Sequence, residues 1–184
     1  APARYTGRNA LGRKSCMPRI LIAVDGSELA LDAVRHALEL VHAGLRAEFV
    51  LANVQEPASL YELVVSRDPD RIAAASLEAG AHLMASARAL MDAAGLTYET
   101  EIGMGDPAHT LVDLIESTGS DMAIAGARGQ GAIRSALLGS VSQALVHASP
   151  VPVTIVRHAP ESTQAQDVLE SDSGVDVLEN FRGT

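Results

Sequence analysis

The chain reads as an α/β protein built on an open, five-stranded parallel sheet with helices on both faces. Three observations predict this class. Short apolar runs of strand type alternate with segments whose apolar residues recur at helical spacing, in the order β-α-β-α-β-α-β-α-β. The first strand ends at a turn, Asp25-Gly26-Ser27, that opens a helix. The fourth ends at a glycine-rich stretch that also leads into a helix. Strands joined through helices are parallel, and the helices then cover both faces of the sheet.

Each element has its own signal. Arg19 to Val24 is a compact apolar run, broken by the Asp25-Gly26-Ser27 turn. From Leu29 to Val41, Ala30, Val34, Ala37, Leu38 and Val41 share one helical face, and Gly44 stops the pattern. Ala47 to Val54 is the second strand. Gln55 to Pro69 is longer than an ordinary connection and is expected to be a lid or variable loop. Ile72 to Ala94 is an Ala-rich stretch expected to form one long helix ending at Gly95. Tyr98 to Ile102 alternates as a third strand, and Pro107 to Ser117 begins with proline in its first turn, as helices favour. Met122 to Ala125 is the fourth strand, Ser140 to His147 the fourth helix, and Val151 to Val156 the fifth strand. Pro152 places that last strand at a sheet edge, because proline cannot donate to a ladder.

Composition narrows the function classes. An apolar fraction of 47% suits a globular domain, and no apolar run approaches the roughly 18–20 residues of a membrane span. A single cysteine, Cys16, excludes an intrachain disulfide and a cysteine zinc cluster, and a cytoplasmic location is expected. Charge divides the chain into a basic arm, residues 1–16, at +4, a domain, 17–159, at −8, and an acidic tail, 160–184, at −5. The acidic domain argues against general nucleic-acid binding, which rests on neutralising phosphates. With two phenylalanines, three tyrosines and no tryptophan, base-stacking surfaces for single strands are also not expected.

The chemistry concentrates in Gly126-Ala127-Arg128-Gly129, nine residues, then Gly139-Ser140-Val141-Ser142. Glycines after a strand let backbone N–H groups come close to a ligand, and a helix N-terminus offers unpaired donors to an anion. Residues 126–142 carry Arg128 and Arg134 and no acid, a local +2 on an acidic domain that suits a polyphosphate. The Walker pattern is absent, and Lys14, in the arm, is the only lysine of the chain. Ser140 and Ser142 can cap the helix or donate to phosphate oxygens. Asp25 can hold a ribose hydroxyl, accept from an adenine amino group or approach a metal; equally, with Glu28 three residues on, it can cap the first helix. If strands 1 and 4 are neighbours, these two loops face one another across the crevice where open sheets bind ligands. His36, His42, His82 and His147 fall in helical segments, and His109, near Asp106 and Asp113, finds no third group to complete a nucleophile–base set. No catalytic residue is expected.

These motifs resemble those of the universal stress protein family. The resemblance runs from about Met17 to Arg157 and rests on Ile20-Leu21-Ile22-Ala23-Val24-Asp25-Gly26-Ser27, on Asp121 to Ala125, on Gly126-x2-Gly129-x9-Gly139-Ser140, and on Pro150 to Val156. It implies a sheet ordered 3-2-1-4-5 and, from the full glycine motif, the ATP-binding kind, often with Mg or Mn on the phosphates. By motif position Asp25 would meet the ribose or adenine side, and Val54 would meet adenine through its backbone. Ala125, Gly126 and Gly129 would border ribose and phosphates, beside Arg128. Gly139, Ser140 and Val141 would hold the phosphates, with Ser142 as a further donor. It also implies a homodimer through strand 5 (Val151, Val153, Ile155) and a stress-response or signalling role with an unidentified partner. Two alternatives stay open: a slow ATPase or phosphotransfer protein, and an interaction module that is nucleotide-free or binds AMP.

Overall fold

The computed structural model describes residues 17–56, 69–129 and 138–157. The basic arm, the acidic tail, Arg134 and most of the expected lid lie outside the described residues. The elements are β1 (Arg19–Ala23), α1 (Glu28–His42), β2 (Glu48–Gln55), α2 (Pro69–Leu83), α3 (Ala85–Ala93), β3 (Tyr98–Met104), α4 (Pro107–Thr118), β4 (Met122–Gly126), α5 (Ser140–Ala148) and β5 (Val153–Val156). The sheet is parallel and ordered β3-β2-β1-β4-β5. Strands 1 and 4 are therefore neighbours, and the sheet order reverses between them.

Alternation along the central strands sorts side chains to two cores. Ile20, Ile22 and Val24 of the first strand, Phe49 and Leu51 of the second, and Ile124 of the fourth meet Ala30, Ala33, Val34 and Ala37 of α1 and Met84, Ala87 and Met91. Leu21, Ala52, Ala123 and Ala125 point the other way, against Leu111 and Ile115 of α4 and Leu145 of α5. Covering both faces explains why β1 and β4 are nearly continuous apolar runs. The alanines of the second face let α4 and α5 lie close to the strands, and each large side chain fully buried here contributes about 1.5–3 kcal/mol.

Helix ends follow local chemistry. Asp106 caps α4 by accepting from the His109 amide, Pro107 takes its first turn, and Gly119, at φ +64°, closes it in the left-handed region. Two expectations change at the level of elements. The stretch expected as one helix from Ile72 to Ala94 is two, α2 and α3, separated at Met84, which is fully buried with Ala87 and Met91 in the first core. The last strand begins at Val153 rather than Val151. Pro152 adds only a carbonyl, accepting from Ala123 N–H at 2.9 Å, so the ladder starts after it. At the opposite edge β3 carries Glu99 and Glu101, charges of the kind that discourage further strand pairing.

Candidate functional site

The site forms beyond the carboxyl ends of β1, β2 and β4. At the end of β1 the chain turns through Gly26, φ +83°, into α1. Asp25 Oδ1 accepts from Ser27 N–H at 3.0 Å and from Ser27 Oγ–H at 2.6 Å, and Ser27 Oγ accepts from Ala30 N–H at 3.1 Å. The cap of α1 is thus Ser27, not Asp25, which instead orients the cap through one carboxylate oxygen. Its other oxygen faces the loop after β4, where a Cβ on Gly129 would collide with Asp25 Oδ2. The two loops do face one another, as adjacency of β1 and β4 requires.

The glycines of the motif do different jobs. Gly126 ends β4 with its Cα against α1: a Cβ there would stand 2.6 Å from the Leu29 carbonyl oxygen. Its carbonyl accepts from Ser142 Oγ–H at 2.8 Å, and Ser142 is only 5% exposed. That hydroxyl ties α5 to the end of β4 and is turned away from solvent, a use other than the phosphate contact expected of it. Ala127 donates to the Val156 carbonyl at 2.7 Å and accepts from Gly139 N–H at 2.8 Å. This pair of bonds closes the loop and sets Gly126–Gly129 beside the start of α5.

Gly139 sits at the N-cap of α5 in an extended conformation and offers no side chain to the helix end. The first-turn amides of Ser140, Val141 and Ser142 lie beyond the reach of intrahelical acceptors. α1 and α4, by contrast, are capped by Ser27 and Asp106. Ser140 is exposed, while Val141 is half-buried against the second core. Ala125 likewise buries its side chain in that core, and Arg128 is half-buried beside Gly129. Such an end, with about half a positive charge from the helix dipole, attracts anions.

A family model, the universal stress protein family, matches residues 17–157. The chain belongs to the universal stress protein family. It is similar to a universal stress protein of Mycolicibacterium smegmatis, 33% identical over 170 residues that cover 90% of this chain and 54% of that protein. It is similar also to universal stress protein YxiE of Bacillus subtilis, 28% identical over 76% of this chain and 98% of that protein. Among solved structures it resembles a universal stress protein crystallised with cAMP, at a TM-score of 0.53 and 26% identity, covering 76% of this chain and 95% of that one. The five-stranded order and the helical layers are those of the universal stress protein fold.

Sequence reasoning missed Asn53. It is 1% exposed, donates from Nδ2 to the Val24 carbonyl at 2.7 Å, and accepts from Gln55 Nε2–H at 2.5 Å. The available signal was its place on the same strand face as Phe49 and Leu51, where an amide must find partners. The His109 amide, then its ring, hold the Asp106 carboxyl below its ordinary value, and ring Nδ1 lies 2.9 Å from Oδ1. Among the described residues no group of three or more His, Cys, Asp or Glu could hold a metal ion, and no helix is long and apolar enough to cross a membrane.

Proposed function

We propose that this universal stress protein binds ATP in the crevice between the Asp25 turn and the start of α5. The observation that carries the reading is the α5 N-terminus, which Gly139 leaves without a side-chain cap among the described residues, set against the Gly126–Gly129 loop and facing Asp25 across the β1/β4 switch point. The amides of Ser140 and Val141, the exposed Ser140 hydroxyl and the small Gly139 and Gly129 accommodate a phosphate chain, with Arg128 beside it. Asp25 Oδ2 reaches toward ribose hydroxyls, and the Val54 backbone lies where the base would end. The related protein solved with cAMP supports an adenine nucleotide as the class. Mg or Mn would be held chiefly by the phosphates, with the Asp25 carboxylate facing that loop.

In this reading the site holds a nucleotide rather than turning it over; turnover would need a general base positioned on the phosphates. The protein acts as a cytoplasmic stress-response or signalling dimer, paired through β5. Val151, Val153 and Ile155 are half-buried there beside the open strand edge. Its signalling partner is unidentified.

Denaturing the purified protein and identifying released nucleotide by chromatography tests the reading. ATP in near-equimolar amount supports it. No released nucleotide, together with no heat of ATP binding at millimolar magnesium, refutes it. Recovery of AMP or cAMP instead would move the ligand within the same crevice. Turnover that Ser140→Ala abolishes would establish the slow ATPase. Sedimentation as a monomer at micromolar concentration removes the dimer.

A further inference from the structure

Val24 donates its N–H to the Ala52 carbonyl at 2.8 Å, one rung beyond the paired residues of β1 and β2. In a parallel ladder the residue that donates to one partner residue accepts from the residue two further along, here the Val54 N–H. That rung is missing. The Val24 carbonyl accepts from Asn53 Nδ2 instead, at 2.7 Å, and among the described residues no acceptor meets the Val54 amide. The N–H and C=O of one strand residue point to the same side, and alternation sends those of Gln55 to β3, where its carbonyl accepts from Gly105 N–H at 3.0 Å. Those of Val54 therefore point past the end of β1, over the crevice.

Asn53 is fixed in the orientation this requires. Gln55 Nε2 donates to its Oδ1, so the amide cannot exchange its oxygen and nitrogen without setting two donors against each other. Above it, Gly80 of α2 leaves the needed space, since a Cβ there would stand 2.9 Å from Asn53 Oδ1. A buried amide in an apolar core costs stability unless every group is used, and here it replaces a backbone rung at no gain to the ladder.

We propose that Asn53 is a positioning residue for base recognition: by occupying the Val24 carbonyl it keeps the Val54 N–H open, which together with the Val54 C=O forms a donor–acceptor pair for the amino edge of a purine. This rests on the nucleotide reading above. Adenine fits the pair, with its ring nitrogen accepting and its six-amino group donating. Hypoxanthine inverts both groups and leaves two buried polar groups mismatched.

The test compares ATP, inosine triphosphate and inorganic triphosphate by calorimetry for wild type and Asn53→Leu, alongside hydrogen exchange of the Val54 amide. In wild type we expect ATP preferred over inosine triphosphate by about tenfold or more, and a Val54 amide that exchanges freely until ATP binds. In Asn53→Leu the Val54 amide closes on Val24 and is protected without nucleotide. The base preference falls to within about twofold, and triphosphate affinity is unchanged. An undiminished preference in Asn53→Leu overturns the proposal, as does loss of triphosphate binding in step with ATP. Should that variant not fold, Gln55→Leu, which frees the Asn53 amide, is expected to lower the preference part-way, and an unchanged ratio there is equally fatal. If wild type binds no ATP, the functional reading fails by itself. Exchange at Val54 still decides the role of Asn53, because a protected amide in the free protein refutes it.

Discussion

Gly126→Ala separates a packing role from a ligand role. The Cβ would stand 2.6 Å from the Leu29 carbonyl oxygen and 3.0 Å from its carbon, against ordinary contact from 3.4 Å outward. Both atoms are backbone in the first turn of α1, so relief needs the turn to retreat by about 0.8 Å rather than one rotamer to change. That turn is held by the Ser27 cap and by Ala30, Ala33 and Val34 in the core, so it moves as a unit. Overpacking of this kind costs about 1–3 kcal/mol, and the lower flexibility of the unfolded alanine chain returns at most about 1 kcal/mol. The expected net effect is a loss of about 1–2 kcal/mol.

Urea denaturation reads this as a lower midpoint with an unchanged slope. Gly139→Ala is the internal control: its Cβ would meet nothing closer than Arg128 Cα at 3.4 Å, and its extended backbone suits any residue. It should lie within about 0.5 kcal/mol of wild type. Calorimetry adds the second half, because retreat of α1 carries Asp25 away from the crevice and weakens ATP binding. A Gly126→Ala protein as stable as wild type would refute the argument that this glycine exists for the helix contact.

Three further outcomes follow from the same geometry. Ser142→Ala removes the hydroxyl from the buried Gly126 carbonyl and should cost about 1–3 kcal/mol in urea, with triphosphate affinity little changed. Gly139→Asp supplies the cap that α5 lacks; it should raise the thermal midpoint by up to about 1 kcal/mol equivalent while suppressing ATP binding, since its carboxylate takes the amides a phosphate would use. For Asp106 the folded value is depressed below 3.8, so its contribution is complete above that value and is lost as pH falls through it toward the folded one. Asp106→Asn keeps a cap acceptor without titrating, and its stability relative to wild type should be flat above pH 5 and converge only below about pH 4; convergence near neutrality would contradict this.

The fold was legible because its signals are local and mutually consistent. Apolar runs bounded by glycines gave strands, Pro107 and Gly119 bracketed α4, and Pro152 marked the edge. The break at Met84 was not legible: Ala-rich helical spacing continues through it, the Met84 and Arg88 amides still donate to the carbonyls four residues back, and Met84, Ala87 and Met91 share one buried face. The site was legible as a set of residues but not as a set of roles. Gly126, Gly129 and Gly139 look alike in a motif, yet the first gives way to a helix backbone, the second to Asp25, and the third leaves a helix end uncapped. Spacing cannot distinguish these, because each depends on what a distant segment brings against the glycine. Ser142 shows the same limit, since a serine in a helix's first turn donates to a phosphate or to a buried carbonyl according to which way it faces.

Those separate roles bear on what a motif match means. Two of the three glycines and one of the two serines are explained by contacts within the protein, so the pattern could persist for packing alone. What packing does not explain is the α5 terminus. Ser27 and Asp106 cap α1 and α4 with side chains, and among the described residues a Cβ at Gly139 would meet nothing closer than Arg128 Cα at 3.4 Å. Leaving that end open forgoes a few tenths to about 1 kcal/mol of helix stability. A ligand that supplies the acceptors would recover it, and the N–H and C=O of Val54 would set which end of that ligand faces β2. The case for a nucleotide therefore rests on the two places where, among the described residues, the backbone could have satisfied itself and does not.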